Sequence, residues 1–87
     1  MIILSKKDKL LNRFLSYPSD FSFDELITLL GQFGFHLVKG RKTGGSRVSF
    51  TNGNGDYLRI HKPHPRNILK TYQIDDVITS LTERGLL

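Results

Sequence analysis

Two stretches of alternating side chains flank the run Asn52-Gly53-Asn54-Gly55, and this pattern constrains the fold more than any other feature of the chain. Side chains alternate between the two faces of a strand, and Asn-Gly pairs favour the positive φ angles of hairpin turns. Residues 46–51 and 57–61 are therefore predicted to pair as an antiparallel hairpin. One face carries Val48, Phe50, Leu58 and Ile60, and the other carries Arg47, Ser49, Tyr57, Arg59 and His61.

The hairpin has two possible registers with a turn centred near Gly53 and Asn54. One register places Arg47 opposite His61, and the other places Arg47 opposite Arg59. Residues that face each other across an antiparallel pair point to the same side of the sheet. Both registers therefore put the polar residues of the hairpin on a single exposed face.

Amphipathic helices and one further strand are predicted around this hairpin. The predicted segments are a helix over 6–16, a helix from the capping box Ser22-Phe23-Asp24-Glu25 to Gly34, a strand over 35–41 and a helix over 71–84 closed by Gly85. The order α-α-β-β-β-α predicts an α+β fold, with a three-stranded antiparallel sheet packed on helices through one face. We expect a single domain over 1–87, with 1–18 as an N-terminal helical extension and 22–87 as the core.

The predicted core combines this sheet face with two helices. Its sheet residues are Phe35, Leu37, Val48, Phe50, Leu58 and Ile60.

Positive charge is concentrated in the middle of the chain. The formal charge of the 87 residues is +5, but residues 36–70 hold eight Lys and Arg and only Asp56 as an acid, which gives +7 there and −2 elsewhere. Ordinary solubilising charge is the simplest explanation, but one acid among nine charged residues favours an anion-binding surface.

Several classes of protein are excluded or disfavoured by composition. The chain has no cysteine, so it forms neither disulfides nor Cys-ligated zinc sites. His61 and His64 lack an accompanying carboxylate, so we expect neither a metal nor a small-molecule cofactor. The apolar run at the start is too short for a signal peptide, and no stretch suits a membrane span, so we expect a cytoplasmic protein.

The polar face suits RNA. Arginines such as Arg47 and Arg59 can grip phosphate with two hydrogen bonds, and His61 can exchange a proton at a 2′-hydroxyl. Tyr57 could stack on a base. The alternatives stay open: solvated strand charges for the arginines, a loop contact for His61, a loop anchor for His64 and a strand-forming role for Tyr57.

A longer ordered pattern resembles the HicA family of bacterial toxins over about residues 23–87. It consists of Gly34-Phe35, Gly45-Ser46-Arg47-Val48-Ser49-Phe50, His61-Lys62-Pro63-His64-Pro65, Leu69-Lys70, a helix and Gly85-Leu86-Leu87. The resemblance implies a fold similar to a double-stranded-RNA-binding domain and a metal-independent ribonuclease that cleaves mRNA. It also implies a HicB-type antitoxin that covers the active surface.

The family's usual catalytic histidine follows the Gly-Ser pair, where this chain has Arg47. Either His61 takes over as general base or acid beside Arg47, or the chain binds RNA or its antitoxin without cleavage. The predicted catalytic residues are His61, Arg47 and His64. The predicted RNA-binding residues are Lys42, Arg47, Ser49, Tyr57, Arg59, Lys62 and Lys70.

Overall fold

The computed structural model describes residues 6–38 and 47–87, which form helices and one antiparallel sheet. The elements in this part of the chain are α1 (Lys6–Leu15), α2 (Phe23–Gln32), β1 (His36–Leu37), β2 (Arg47–Thr51), β3 (Tyr57–His61) and α3 (Thr71–Glu83). The strands lie in the order β1-β2-β3, and both pairs are antiparallel. The predicted α+β fold and element order are confirmed. Residues 39–41 of the predicted first strand and the predicted RNA-binding residue Lys42 lie outside the described residues.

The hairpin between β2 and β3 adopts the first of the two predicted registers, with Arg47 opposite His61. Its turn is held by Thr51, whose hydroxyl donates to the Asp56 carbonyl at 3.0 Å and accepts from the Gly53 amide at 3.1 Å. Gly53 and Gly55 have φ angles of 85° and 82°, a conformation that costs glycine little. The turn chemistry therefore agrees with the register.

The junction between α2 and β1 turns the chain from the helix layer into the sheet. Ser22 Oγ accepts from the Glu25 amide and Glu25 Oε1 accepts from the Ser22 amide, both at 3.0 Å, so the predicted capping box is present. At the other end Gly34 has a φ of 84°, and the Phe35 amide donates to the Leu30 carbonyl at 2.9 Å. This left-handed helix stop delivers Phe35 into the core.

The hydrophobic core lies between one face of the sheet and the helices. It contains Phe14, Phe21, Phe23, Leu26, Leu29, Leu30, Phe35, Phe50, Leu58, Ile60, Leu69, Ile74, Val77 and Leu81. Leu37 and Val48 were expected in the core but are only half-buried at its margin. Leu37 lies on an edge strand and lines an open groove, which explains its partial exposure.

The helix α1 contributes a fully buried side chain to this core. The Phe14 ring packs on Phe21 with the ring centroids 4.9 Å apart. Arg13 of α1 contacts the Glu25 carboxylate at 2.7 Å and the Asp20 carboxylate at 2.8 Å. These contacts join α1 to the start of α2.

The end of α3 is tied to the hairpin turn by Arg84. Its guanidinium contacts both Asp56 carboxylate oxygens at 2.8 and 2.9 Å, and it donates to the Ser80 and Tyr57 carbonyls. The hydrogen bonds from Arg84 hold the pKa of Asp56 below the usual carboxyl value. This pair fixes α3 beside β3.

Replacing Phe14 tests whether α1 belongs to the folding unit. Phe14→Ala should lower the free energy of unfolding by about 3–5 kcal/mol, because it empties a fully buried ring site. Urea denaturation followed by far-UV circular dichroism measures this. The neighbouring Leu15 is 39% exposed, so Leu15→Ala should change stability by only about 0.5 kcal/mol. Equal stability of Phe14→Ala and wild type would contradict a shared core.

The Arg84–Asp56 pair predicts a pH-dependent stability difference. A carboxyl whose pKa is lowered by folding stabilises the native state above its usual pKa of 3.8, and this contribution is lost as the pH falls through the lowered value. Arg84→Met should therefore lower the urea midpoint at pH 7, and its deficit against wild type should shrink on acidification below pH 3.8. Lys9→Met removes one exposed cation as the control for net charge. A deficit that stays constant with pH would contradict the assignment.

Candidate functional site

The face of the sheet opposite the helices brings most of the predicted hairpin residues together. The register pairs Arg47 with His61 and Ser49 with Arg59. Directly opposed residues have Cβ atoms about 4.5–5.5 Å apart, so each pair can act on one bound group. Arg47, Arg59 and His61 are exposed, and Ser49 is half-buried between them. The predicted clustering of two guanidinium groups and one imidazole is therefore present.

Tyr57 also lies on this face, but its ring already has a partner. The Arg59 guanidinium carbon lies 5.3 Å from the centroid of the Tyr57 ring, within the range of a cation–π contact. Tyr57 is 45% exposed. The contact orients Arg59 along the strand and occupies one side of the ring.

A short backbone pairing that was not predicted from the sequence attaches the loop that carries His64 to the start of α2. The Phe23 amide donates to the Asn67 carbonyl at 3.0 Å, and the Leu69 amide donates to the Phe21 carbonyl at 2.8 Å. These bonds flank an isolated bridge between Ser22 and Ile68. The loop between β3 and α3 is thus attached to the segment before α2.

His64 lies near His61 at this end of the sheet. Both histidines line a cleft of about 200 Å³ at the end of β3. The full lining is His61, Lys62, Pro63, His64, Lys70, Tyr72 and Gln73. The cleft therefore contains two predicted catalytic residues and two predicted RNA-binding lysines, whereas Arg47 lies on the sheet face.

Gln73 positions the two walls of this cleft. Its amide nitrogen donates to the His61 carbonyl at 2.7 Å, and its amide oxygen accepts from the Lys70 amide at 3.0 Å. Gln73 is 4% exposed, and its side chain satisfies two backbone groups at once. The sequence offered one signal that Gln73 is buried: it stands next to Ile74, the first residue of the apolar stripe of this helix.

A larger groove runs along the other side of the loop. It has a volume of about 630 Å³, and Phe23, Ile27 and Leu37 form much of its apolar wall. The Lys62 ammonium lies 5.9 Å from the centroid of the Phe23 ring at this groove. Lys62 thus lines both the groove and the cleft that contains His61.

Lys42 lies outside the described residues. The third histidine of the chain, His36, is exposed on β1 opposite Thr51. Within residues 6–38 and 47–87, no three His, Asp or Glu side chains are grouped so that they could hold a metal ion. No helix in the described part of the chain is long and apolar enough to cross a membrane.

These elements define an α+β domain with a fold like that of a double-stranded-RNA-binding domain and a basic open sheet face. The family model described as HicA toxin of bacterial toxin–antitoxin matches residues 23–81, more than half of the chain. The chain therefore belongs to the HicA toxin family. Membership makes it the toxin of a toxin–antitoxin system, with an antitoxin as its partner. Comparison with curated proteins and with solved structures gives no match.

Proposed function

We propose that this toxin is a metal-independent ribonuclease that cleaves mRNA in the cytoplasm. The observation that carries the proposal is the strand register, which sets Arg47 and His61 directly opposite each other on the open face. A guanidinium and an imidazole at this spacing can bind one phosphodiester together. Membership of the HicA toxin family supports the same reading.

The mechanism uses the ribose 2′-hydroxyl of the substrate as the nucleophile. His61 removes the 2′-hydroxyl proton, and the 2′-oxygen attacks the adjacent phosphorus in line with the 5′-oxygen. The bond from phosphorus to the 5′-oxygen breaks, which leaves a 2′,3′-cyclic phosphate and a 5′-hydroxyl. Arg47 hydrogen-bonds the phosphorane oxygens, where negative charge increases in the transition state.

The leaving 5′-oxygen needs a proton, and we assign its donation to His64. His64 lines the same cleft as His61, with Lys62 and Lys70 beside it. With a base and an acid beside one phosphate, both proton transfers, from the 2′-hydroxyl and to the 5′-oxygen, take place without a metal ion. Arg59 and Lys62 hold the flanking phosphates, and Ser49, Tyr57 and Lys70 extend the contact surface.

Arg47 also supports a second candidate function, because it stands where the family usually has its catalytic histidine. On this account the same face binds RNA, or docks a HicB-type antitoxin, without cleavage. Binding would then fall steeply with salt, since Arg47 and Arg59 would act through phosphate charge. A HicB-type antitoxin with an acidic surface fits the open face in either case.

Incubation of the purified chain with RNA in EDTA tests the proposal. Wild type should release fragments that end in 2′,3′-cyclic phosphate, and induction should arrest growth. His61→Ala should slow cleavage by about 10²–10⁴-fold, the usual contribution of general acid–base catalysis. His36→Ala is the matched control, because it removes an exposed histidine from β1, at the opposite edge of the same sheet from His61.

Intact RNA and normal growth with the wild-type chain would overturn the ribonuclease. If salt-sensitive RNA binding then persisted and Arg47→Ala and Arg59→Ala weakened it, the non-catalytic candidate would replace it. Loss of activity in EDTA that Mg²⁺ restores would contradict metal independence.

A further inference from the structure

We propose that Tyr72 forms a stacking site for one unpaired nucleobase of the bound RNA, beside His61; this inference rests on the proposed action on RNA. Tyr72 is 56% exposed, the most exposed large hydrophobic side chain among the described residues. It lies in the first turn of α3, outside the apolar stripe of Ile74, Val77 and Leu81. Its ring is therefore not required by the core.

Tyr72 lines two clefts that both include His61. The larger, of about 200 Å³, contains Lys62 and Lys70. The smaller, of about 90 Å³, lies between β3 and α3 and contains Arg59 and Asp76. Both are smaller than the roughly 300–1,000 Å³ of sites that enclose a whole small molecule. Each cleft therefore suits one part of a nucleotide rather than an entire free ligand.

The charges of the two clefts differ and set the orientation of the nucleotide. The larger cleft has two lysines and no carboxylate in its lining, so it favours a phosphate. The smaller cleft carries Asp76 as well as Arg59, so its charge is balanced and it favours a neutral base. A base on the Tyr72 ring would then extend its phosphate towards Lys62 and Lys70.

The backbone next to Tyr72 is attached to β3 on the side that faces His61. Buried Gln73 follows Tyr72 in the chain and bonds both the His61 carbonyl and the Lys70 amide. The first turn of α3 is thus attached to the end of β3, which keeps the backbone of Tyr72 close to His61. Stacking requires a base that has left its own stack, so single strands or loops should bind in preference to duplex.

Fluorescence anisotropy with a 2′-O-methyl oligonucleotide tests this inference without cleavage. Tyr72→Ala should weaken binding of the single strand by about 5-fold to 150-fold, the range for loss of one base–aromatic stack. Tyr72→Phe keeps the ring and should bind within about twofold of wild type. Thr79→Ala alters another exposed residue of α3 and serves as the control. A duplex of the same length should bind more weakly and show little dependence on Tyr72.

The outcomes separate this inference from the ribonuclease. Unchanged binding by Tyr72→Ala, or an equal loss in Tyr72→Phe, would overturn the stacking site while leaving cleavage to its own test. An equal effect of Tyr72→Ala on duplex and single strand would also overturn it. RNA that binds through Tyr72 but is never cut would support the site and reject the ribonuclease. If wild type did not bind the single strand, the stacking site would be overturned, and the cleavage assay would still decide the ribonuclease.

Discussion

The antiparallel register between β2 and β3 is the constraint on which the candidate site depends. Opposed residues share a face, so a slip of one residue would send Arg47 into the core and bring Val48 to the surface. Burial of Phe50, Leu58 and Ile60 opposes such a slip. The hydroxyl of Thr51 and the two left-handed glycines close the turn at the matching length. Core packing and turn chemistry therefore fix the same pairing, and the polar face follows from it.

A second set of contacts forms the two clefts at the edge of this face. Gln73 joins the end of β3 to the start of α3, and the pairing around Ser22 and Ile68 holds the loop that carries His64. Arg84 fastens the other end of α3 to the turn through Asp56. The helix is thus attached to β3 at both ends. This arrangement leaves the sheet face open for a ligand, with two clefts along its edge.

Local patterns predicted the elements, whereas contacts between distant segments were missed. The alternation around Asn52 and Gly53, the capping box at Ser22 and the stop at Gly34 each specify structure within a few residues, and all are confirmed. The two hairpin registers share one side-chain parity, so the sequence could not choose between them. Three residues have roles that depend on partners or clefts formed by segments distant in the sequence: Phe14, Gln73 and Tyr72. Tyr72 had a visible signal, an aromatic residue outside the apolar stripe of its helix.

The central claim is that Arg47 and His61 act on one phosphodiester, and a double-mutant cycle tests it most directly. Single-turnover cleavage of one RNA is measured for wild type, Arg47→Ala, His61→Ala and the double variant. Groups that act as a unit give non-additive losses, so the double variant should be about as slow as the slower single variant. If the two losses multiplied, so that their free energies added, Arg47 and His61 would act independently and the shared site would be contradicted.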